Sequence, residues 1–222
     1  MRSIRLVIVD DHQVFAEALG VLLKTERDIE LLAVAPDAES ALEIVRLRRP
    51  DVVLMDVDLP GMNGIAATRE VLASSPGARV IVLTALMDPQ VVEGAAAAGA
   101  IGFVSKQRAA DDLLAAIRVA AAGEEVFRTQ DLRALWGDGR QAEKRPGQFD
   151  LTSRELEVLQ GLADGLSTDE LAKTLFLSPR TVQGHVQSIL TKLRVRSKLG
   201  AVLYGLRQGL VRLKPLASDS PS

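Results

Sequence analysis

Asp10 and Asp11 close the apolar run IRLVIVDD, Asp56 closes DVVLMD, Thr84 closes RVIVLT and Lys106 closes IGFVSK. If these runs are parallel strands, one edge of a sheet collects three carboxylates, one hydroxyl and one ammonium. Phosphoryl transfer asks for such a set, because it depends on positioning and charge neutralisation more than on covalent machinery. Asp56 can attack phosphorus as a carboxylate nucleophile and form an aspartyl phosphate. Asp10, Asp11 and Asp56 together suit Mg²⁺, which takes a few carboxylates plus water and phosphate oxygen. Lys106 can pair with one phosphate oxygen, and Thr84 can donate a hydrogen bond to another.

The elements that must position these residues alternate along the first part of the chain. Strand-like runs (IRLVIV, IELLAVA, DVVLM, RVIVL, IGFV) are separated by amphipathic segments such as QVFAEALGVLLK, AESALEIVRL and GIAATREVLA. Near-continuous apolar strands joined by helix-length crossovers predict a parallel sheet covered on both faces. Right-handed crossovers then give an α/β doubly wound five-stranded sheet, with ligands at the strand carboxyl ends near the topological switch point. An aspartate after a strand can also simply cap the next helix. Capping accounts for Asp11 taken alone, but not for five residues each of the required type at its strand end. His12 opens a helix behind the acidic pair and is expected to be solvated or beside a cap, not a ligand.

VDD, MDVDLPGMNG, LTA and GFVSK stand in the order and approximate spacing of the receiver domain of bacterial two-component response regulators, which residues 1–122 resemble. The resemblance implies a flavodoxin-like fold, phosphorylation of Asp56 by a histidine kinase, movement of Thr84 toward the phosphate and a swing of Phe103 as the aromatic switch. It also implies that Asp58 and Leu86, each two residues beyond a site residue, tune dephosphorylation. Such a domain is a phosphoacceptor and not an enzyme, beyond its own autophosphorylation and autodephosphorylation. A haloacid-dehalogenase-like phosphatase is the competing enzyme class, since DVVLMDVD holds Asp-x-Asp after a strand. That pattern wants Thr or Val where Pro60 stands and an acidic strand end after the lysine, whereas Asp111 and Asp112 open a helix.

Charge is unevenly distributed. Residues 1–122 hold 12 Lys/Arg against 17 Asp/Glu (net −5), residues 123–149 hold 5 against 5, and residues 150–222 hold 10 against 7 (net +3). Residues 177–214 contain eight Lys/Arg and no acid, a polyanion-binding signature that the overall balance conceals. No apolar stretch reaches the roughly 18 residues of a membrane span, and the first apolar run meets Asp10 too soon for a signal-peptide core. With no cysteine, the chain is expected to be cytoplasmic and without a membrane partner.

Residues 123–149 lose both periodicities and predict a linker, beginning with a short helix around Leu132 to Trp136. Beyond Asp150 the pattern is helical. Thr152 with Glu155 and Ser167 with Glu170 predict capping boxes, and Ser178 with Pro179 predicts a capped helix start. Three short-linked helices make a helix-turn-helix, with a fourth over SKLGAVLYGLRQGL and a disordered tail over 215–222. In SPRTVQGHVQSILTKL, Val182, Val186, Ile189, Leu190 and Leu193 form a buried stripe, and Arg180, Gly184, Gln187, Ser188 and Thr191 face away with Gln183 and Lys192 on the flanks. His185 is expected to pack or meet phosphate.

The segment from LTSREL to LRVRS resembles the LuxR-type helix-turn-helix of NarL/FixJ response regulators, and residues 150–214 are assigned to it. By position, the resemblance implies that Gln183, Gly184 and Gln187 face the bases of double-stranded DNA while Arg180, Lys192 and Arg196 contact phosphates. The family often has lysine where Gln183 stands. A helical protein-binding module is the bland alternative, disfavoured by the acid-free basic run. The whole chain then reads as a transcription regulator in which phosphorylation by a histidine kinase promotes a homodimer and DNA binding. Its competitor is a phosphorylation-independent regulator whose receiver only dimerises.

Overall fold

The computed structural model describes residues 3–107, 110–136 and 150–213. In β1 (Ile4–Val9), Leu6 and Ile8 enter one layer and Val7 and Val9 the other, all fully buried. A strand covered on both faces has no place for a polar side chain, hence the unbroken apolar run. β3 (Val52–Asp56) is likewise buried throughout, as is β4 (Arg79–Thr84) after its first residue. With β2 (Ile29–Ala35) and β5 (Gly102–Ser105) they form a five-stranded parallel sheet in the order β2-β1-β3-β4-β5.

One face is covered by α1 (Gln13–Leu23) and α5 (Ala110–Ala121) through Leu19, Leu23, Leu113 and Ile117. The other is covered by α2 (Ala38–Arg48) and α3 (Gly64–Ser74) through Ala41, Val45, Ala67 and Val71. The last crossover helix, α4 (Pro89–Ala98), buries Val92 and Ala95 and starts on an Asp88 cap. From β1 the chain runs outward to β2, then returns to place β3 on the other side of β1. That reversal opens a crevice where β1 and β3 end, the place a doubly wound sheet offers to ligands.

The chain divides into two compact units between Val126 and Phe127. Residues 123–136, expected to begin a linker, are structured instead. Val126 donates its N–H to Ile101 O at 3.0 Å and accepts from Phe103 N at 3.0 Å, so it extends the β5 edge by one bridge. Gly102 permits this approach, since a Cβ there would lie 2.1 Å from Val126 O. Helix α6 spans Thr129–Trp136, three residues earlier than periodicity indicated, and its Leu132 is fully buried in the second unit. The rest of the expected linker, 137–149, and the expected tail lie outside the described residues.

The second unit continues with α7 (Ser153–Ala163), α8 (Thr168–Thr174), α9 (Pro179–Leu193) and α10 (Lys198–Arg207). Both expected capping boxes form, Thr152 with Glu155 and Ser167 with Glu170, and Ser178 caps α9 ahead of Pro179. Gly165, at φ +83°, turns the chain after α7 as a left-handed residue must. Among the described residues, no helix is long and apolar enough to cross a membrane.

Because Leu132 anchors α6 in a core rather than in a tether, Leu132→Ala should destabilise the second unit by about 2 to 5 kcal/mol. Urea unfolding followed on residues 127–222 checks this, and an unchanged midpoint would mean that α6 is dispensable.

Candidate phosphoacceptor site and nucleic-acid interface

β1 and β3 end side by side, Val9 paired with Met55, so Asp10 and Asp56 leave their strands into one pocket. Both are buried, at 2% and 1% exposure, while Asp11 is exposed. Lys106, just past β5, reaches across the strand ends and places Nζ 2.8 Å from Asp10 Oδ2 and 2.8 Å from Asp56 Oδ2. Its backbone N–H donates to Thr84 O at 2.9 Å, and its ammonium lies 5.1 Å from the centroid of the Phe15 ring. Burial works against this ammonium, but the two carboxylates outweigh it and hold Lys106 above the ordinary lysine value.

One ammonium cannot balance three carboxylates. Asp10 Oδ2 and Asp56 Oδ2 are buried and share the single Lys106 ammonium. Three carboxylates around one ammonium leave the described pocket net negative, and carboxylate oxygens are what a divalent cation takes, so the donor set fits one. The ligand atoms of Asp10, Asp11, His12 and Asp56 all lie within 4.8 Å of one another. His12 stands as the N-cap residue of α1, the cap-side position expected of it. Although largely exposed, its Nδ1 lies 2.9 Å from Asp11 Oδ1 and 3.3 Å from Asp10 Oδ1. Its backbone N–H also donates to Asp10 Oδ1 at 2.9 Å.

Thr84 is buried at the end of β4, with its hydroxyl donating to Leu86 O at 2.5 Å and not to Asp56. Phe103 is buried in β5, paired in register with Val82, while Asp58 and Leu86 are exposed. Gly64 was not anticipated. A Cβ there would lie 1.7 Å from the backbone oxygen of Asp56, so only glycine lets α3 start this close to the pocket. The GMNG string after the third strand was its available signal.

In the second unit, α9 buries Val182, Val186, Ile189 and Leu193 and exposes Arg180, Gln183, Gly184 and Gln187, with Arg196 exposed just beyond it. Nothing lies within 4 Å of a Cβ built on Gly184, so the helix surface is open there. His185 is half-buried. Ser188 is placed differently from the helical-wheel expectation, and Lys192, on the flank expected of it, is engaged by the same partner. Ser188 turns inward to donate to Glu155 Oε1 at 2.5 Å, and Lys192 Nζ meets Glu155 Oε2 at 2.8 Å. The physical reason is Glu155 itself, 3% exposed on the first turn of α7, where a buried carboxylate requires donors. Thr152 N–H supplies another at 2.7 Å. Burial raises the pKa of this carboxyl, but Lys192, Ser188 and Thr152 prevail and bring it down to about 2. From the flank of α9, Lys192 therefore ties that helix to α7.

Residues 6–118 match the family described as response regulator receiver domain, and residues 150–204 match bacterial regulatory proteins, luxR family. The chain is 34% identical to the transcriptional regulatory protein DegU of Brevibacillus brevis, over 96% of this chain and 97% of that protein. Among solved structures it is similar to the response regulator ChrA of a heme-sensing two-component system, at 33% identity and TM-score 0.52, over 95% of this chain and 100% of that one. It is also similar to the RcsB response regulator of Salmonella typhimurium, at 25% identity and TM-score 0.56, over 92% and 98% of the two chains.

The depressed Glu155 pKa makes the second unit sensitive to acid with a defined sign. Its stabilisation is present above 4.5, the ordinary glutamate value, and is lost as pH falls toward about 2. The urea midpoint of residues 127–222 should fall through that window, whereas Glu155→Gln should start lower at neutral pH and slope less. Parallel curves would show that Glu155 does not carry the effect.

Proposed function

The chain belongs to the two-component response regulators of the NarL/FixJ type, and from that premise we propose that phosphorylation of Asp56 controls dimerisation and sequence-specific DNA binding through α9. A receiver joined to a LuxR-type helix-turn-helix makes this a phosphoacceptor and DNA-binding transcription regulator rather than a classical enzyme. The observation that carries the assignment of Asp56 is its buried carboxylate facing Lys106 at 2.8 Å in a pocket with unspent negative charge.

An Asp56 carboxylate oxygen attacks the phosphorus of a phosphohistidine on the kinase, the P–N bond breaks, and an acyl phosphate forms. Asp10, Asp11 and Asp56 would hold Mg²⁺, which when bound offsets the repulsion between these carboxylates and the incoming phosphoryl group. Lys106 needs only a small displacement from Asp56 Oδ2 to pair with a phosphoryl oxygen. The Thr84 hydroxyl exchanges Leu86 O for another phosphoryl oxygen, and Phe103 follows into the space beside it, giving the two states that phosphorylation biases. Asp58 and Leu86 flank the path of the hydrolytic water.

On the DNA side, Gln183, Gly184 and Gln187 enter the major groove, with Arg180 and Arg196 on phosphates. Lys192 contributes chiefly by fixing the angle of α9 through Glu155. Two such units joined by dimerisation read a two-fold site with higher avidity than one. We assign the receiver to 1–122, which the Val126 bridge extends, and DNA binding to 150–214, to which α6 adds its buried Leu132. Work on DNA and the absence of cysteine support a cytoplasmic location.

Asp56→Asn should abolish stable labelling by a small phosphodonor, because the amide keeps the shape and loses the nucleophile. Parent labelling should disappear with excess chelator. Hydroxylamine-labile phosphate persisting in the variant would overturn the assignment of Asp56, and chelator-resistant labelling would overturn the cation.

Gln183→Ala should lower specific affinity by roughly 1 to 3 kcal/mol at one or two base positions, since an amide pairs bidentately with adenine. A selected-sequence profile identical to the parent's would remove Gln183 from the readers.

A further inference from the structure

We propose that Phe176, in the turn between α8 and α9, packs its ring on the sugar-phosphate backbone beside the groove and anchors α9 there without reading sequence. The inference rests on the reading of α9 as the helix that enters the major groove. It adds an apolar contact that none of Arg180, Gln183, Gly184, Gln187 and Arg196 supplies.

Phe176 stands where a helix C-terminus normally places glycine or asparagine. Its φ is +55°, in the left-handed region that disfavours a bulky side chain. Two hydrogen bonds enforce this conformation: Phe176 N–H donates to Lys173 O at 3.3 Å, and Leu177 N–H donates to Ala172 O at 2.8 Å. From α7, Arg154 Nη2 donates to Leu175 O at 2.6 Å while its Nη1 meets Glu157 Oε2 at 2.6 Å, so a second helix holds the turn. Leu175 and Leu177 are half-buried on either side. The ring between them is 95% exposed, the one exposed aromatic among the described residues. A left-handed backbone and an uncovered ring both cost stability, and the described fold offsets neither. A partner that covers the ring offsets the second.

Position and surroundings identify that partner. Phe176 comes just before Ser178, the cap of α9, so it belongs to the leading end of that helix and not to the outward face that carries Gln183 and Gln187. A residue at the leading end of such a helix, off its reading face, meets backbone rather than base edges. The exposed residues near it in the chain, Lys173, Thr174, Arg180 and Thr181, are cations and hydroxyls, the groups that pair with phosphate oxygens. No acid occurs between Glu170 and Lys214 to repel the strand. Sugar carbons flanked by phosphates match an apolar ring flanked by donors, whereas an apolar groove on a protein would leave those donors unpaired.

The test uses the full chain treated with a small phosphodonor, and two labelled duplexes, one selected on the parent and one of unrelated sequence, titrated over a range of salt. Parent, Phe176→Asn, Phe176→Gly and Phe176→Trp are compared. Asparagine and glycine accept a left-handed turn, so the urea midpoints of those two variants should match or exceed the parent's. Both should bind each duplex roughly fivefold or more weakly, with salt dependence and selected-sequence profile unchanged, because no charge and no base contact is lost. Phe176→Trp should bind as the parent does, and its added indole emission should change when DNA is supplied. A loss confined to one base pair would overturn the backbone contact, the ring then reading a thymine methyl. Affinities of Phe176→Asn and Phe176→Gly within about twofold of the parent's would overturn DNA as the partner. Weaker binding that tracks a lower urea midpoint would reduce Phe176 to a structural residue and overturn the proposal as well. A parent that binds neither duplex would overturn the reading of α9 itself, and this contact with it.

Discussion

The receiver unit is organised around an electrostatic conflict: Asp10 and Asp56, two buried carboxylates, open into one pocket with Asp11 at its mouth and only Lys106 between the buried pair. Like charges at such range disfavour one another's ionised form, and burial makes the conflict more costly. The sheet order enforces it. Because β1 and β3 are neighbours at the switch point, their terminal acids cannot separate without breaking strand pairing, and because β4 and β5 continue the same edge, Thr84 and Lys106 arrive beside them. Hydrophobic burial of Leu6, Ile8, Val53 and Leu54 on both faces is what holds the acids in place.

That constraint explains which parts of the site are rigid and which can shift. Gly64 packs its Cα against the Asp56 carbonyl, and β3 is buried along its whole length, so Asp56 is fixed. Thr84 is held differently, since its hydroxyl has a single local acceptor, Leu86 O, that another oxygen can replace. β5, which carries Phe103, also carries the bridge to Val126, the last residue of the first unit. The strand of Phe103 and the anchor of Val126 are therefore one element.

Asp10, Asp56 and Lys106 were legible in the sequence because each ends an apolar run, and a parallel sheet must gather its strand ends on one edge. The capping boxes were legible for a similar reason, being local patterns of three or four residues. What depended on distant partners was not. Helical periodicity placed Ser188 outward and Lys192 on the flank, yet Glu155, 33 and 37 residues earlier, draws Ser188 inward and engages the Lys192 ammonium. Gly64 read only as the start of the segment GIAATREVLA, and its close approach to the Asp56 carbonyl is a contact between elements that no local pattern marks. His12 stands exposed at the start of α1 as read, but its approach to Asp10 and Asp11 was not legible, because nothing in VDDH sets the direction of an exposed side chain. Helix α6 was read too short and as part of a tether, because a single Leu132 under a cover of charged neighbours carries little periodic signal.

Each unit contains a buried carboxylate facing a lysine, and the difference between the two arrangements separates structure from function. Glu155 has Lys192, Ser188 and Thr152 arranged around its two oxygens, and its pKa falls to about 2, as a fully satisfied carboxylate's should. Nothing remains there for a ligand to complete, so the group locks the angle between α7 and α9. Asp10 and Asp56 share one ammonium between two buried carboxylates. A cluster short of positive charge is costly in a folded core unless a ligand supplies it. The first lysine pair therefore sets a geometry, while the second leaves charge unneutralised at the place where a cation and a phosphoryl group would relieve it.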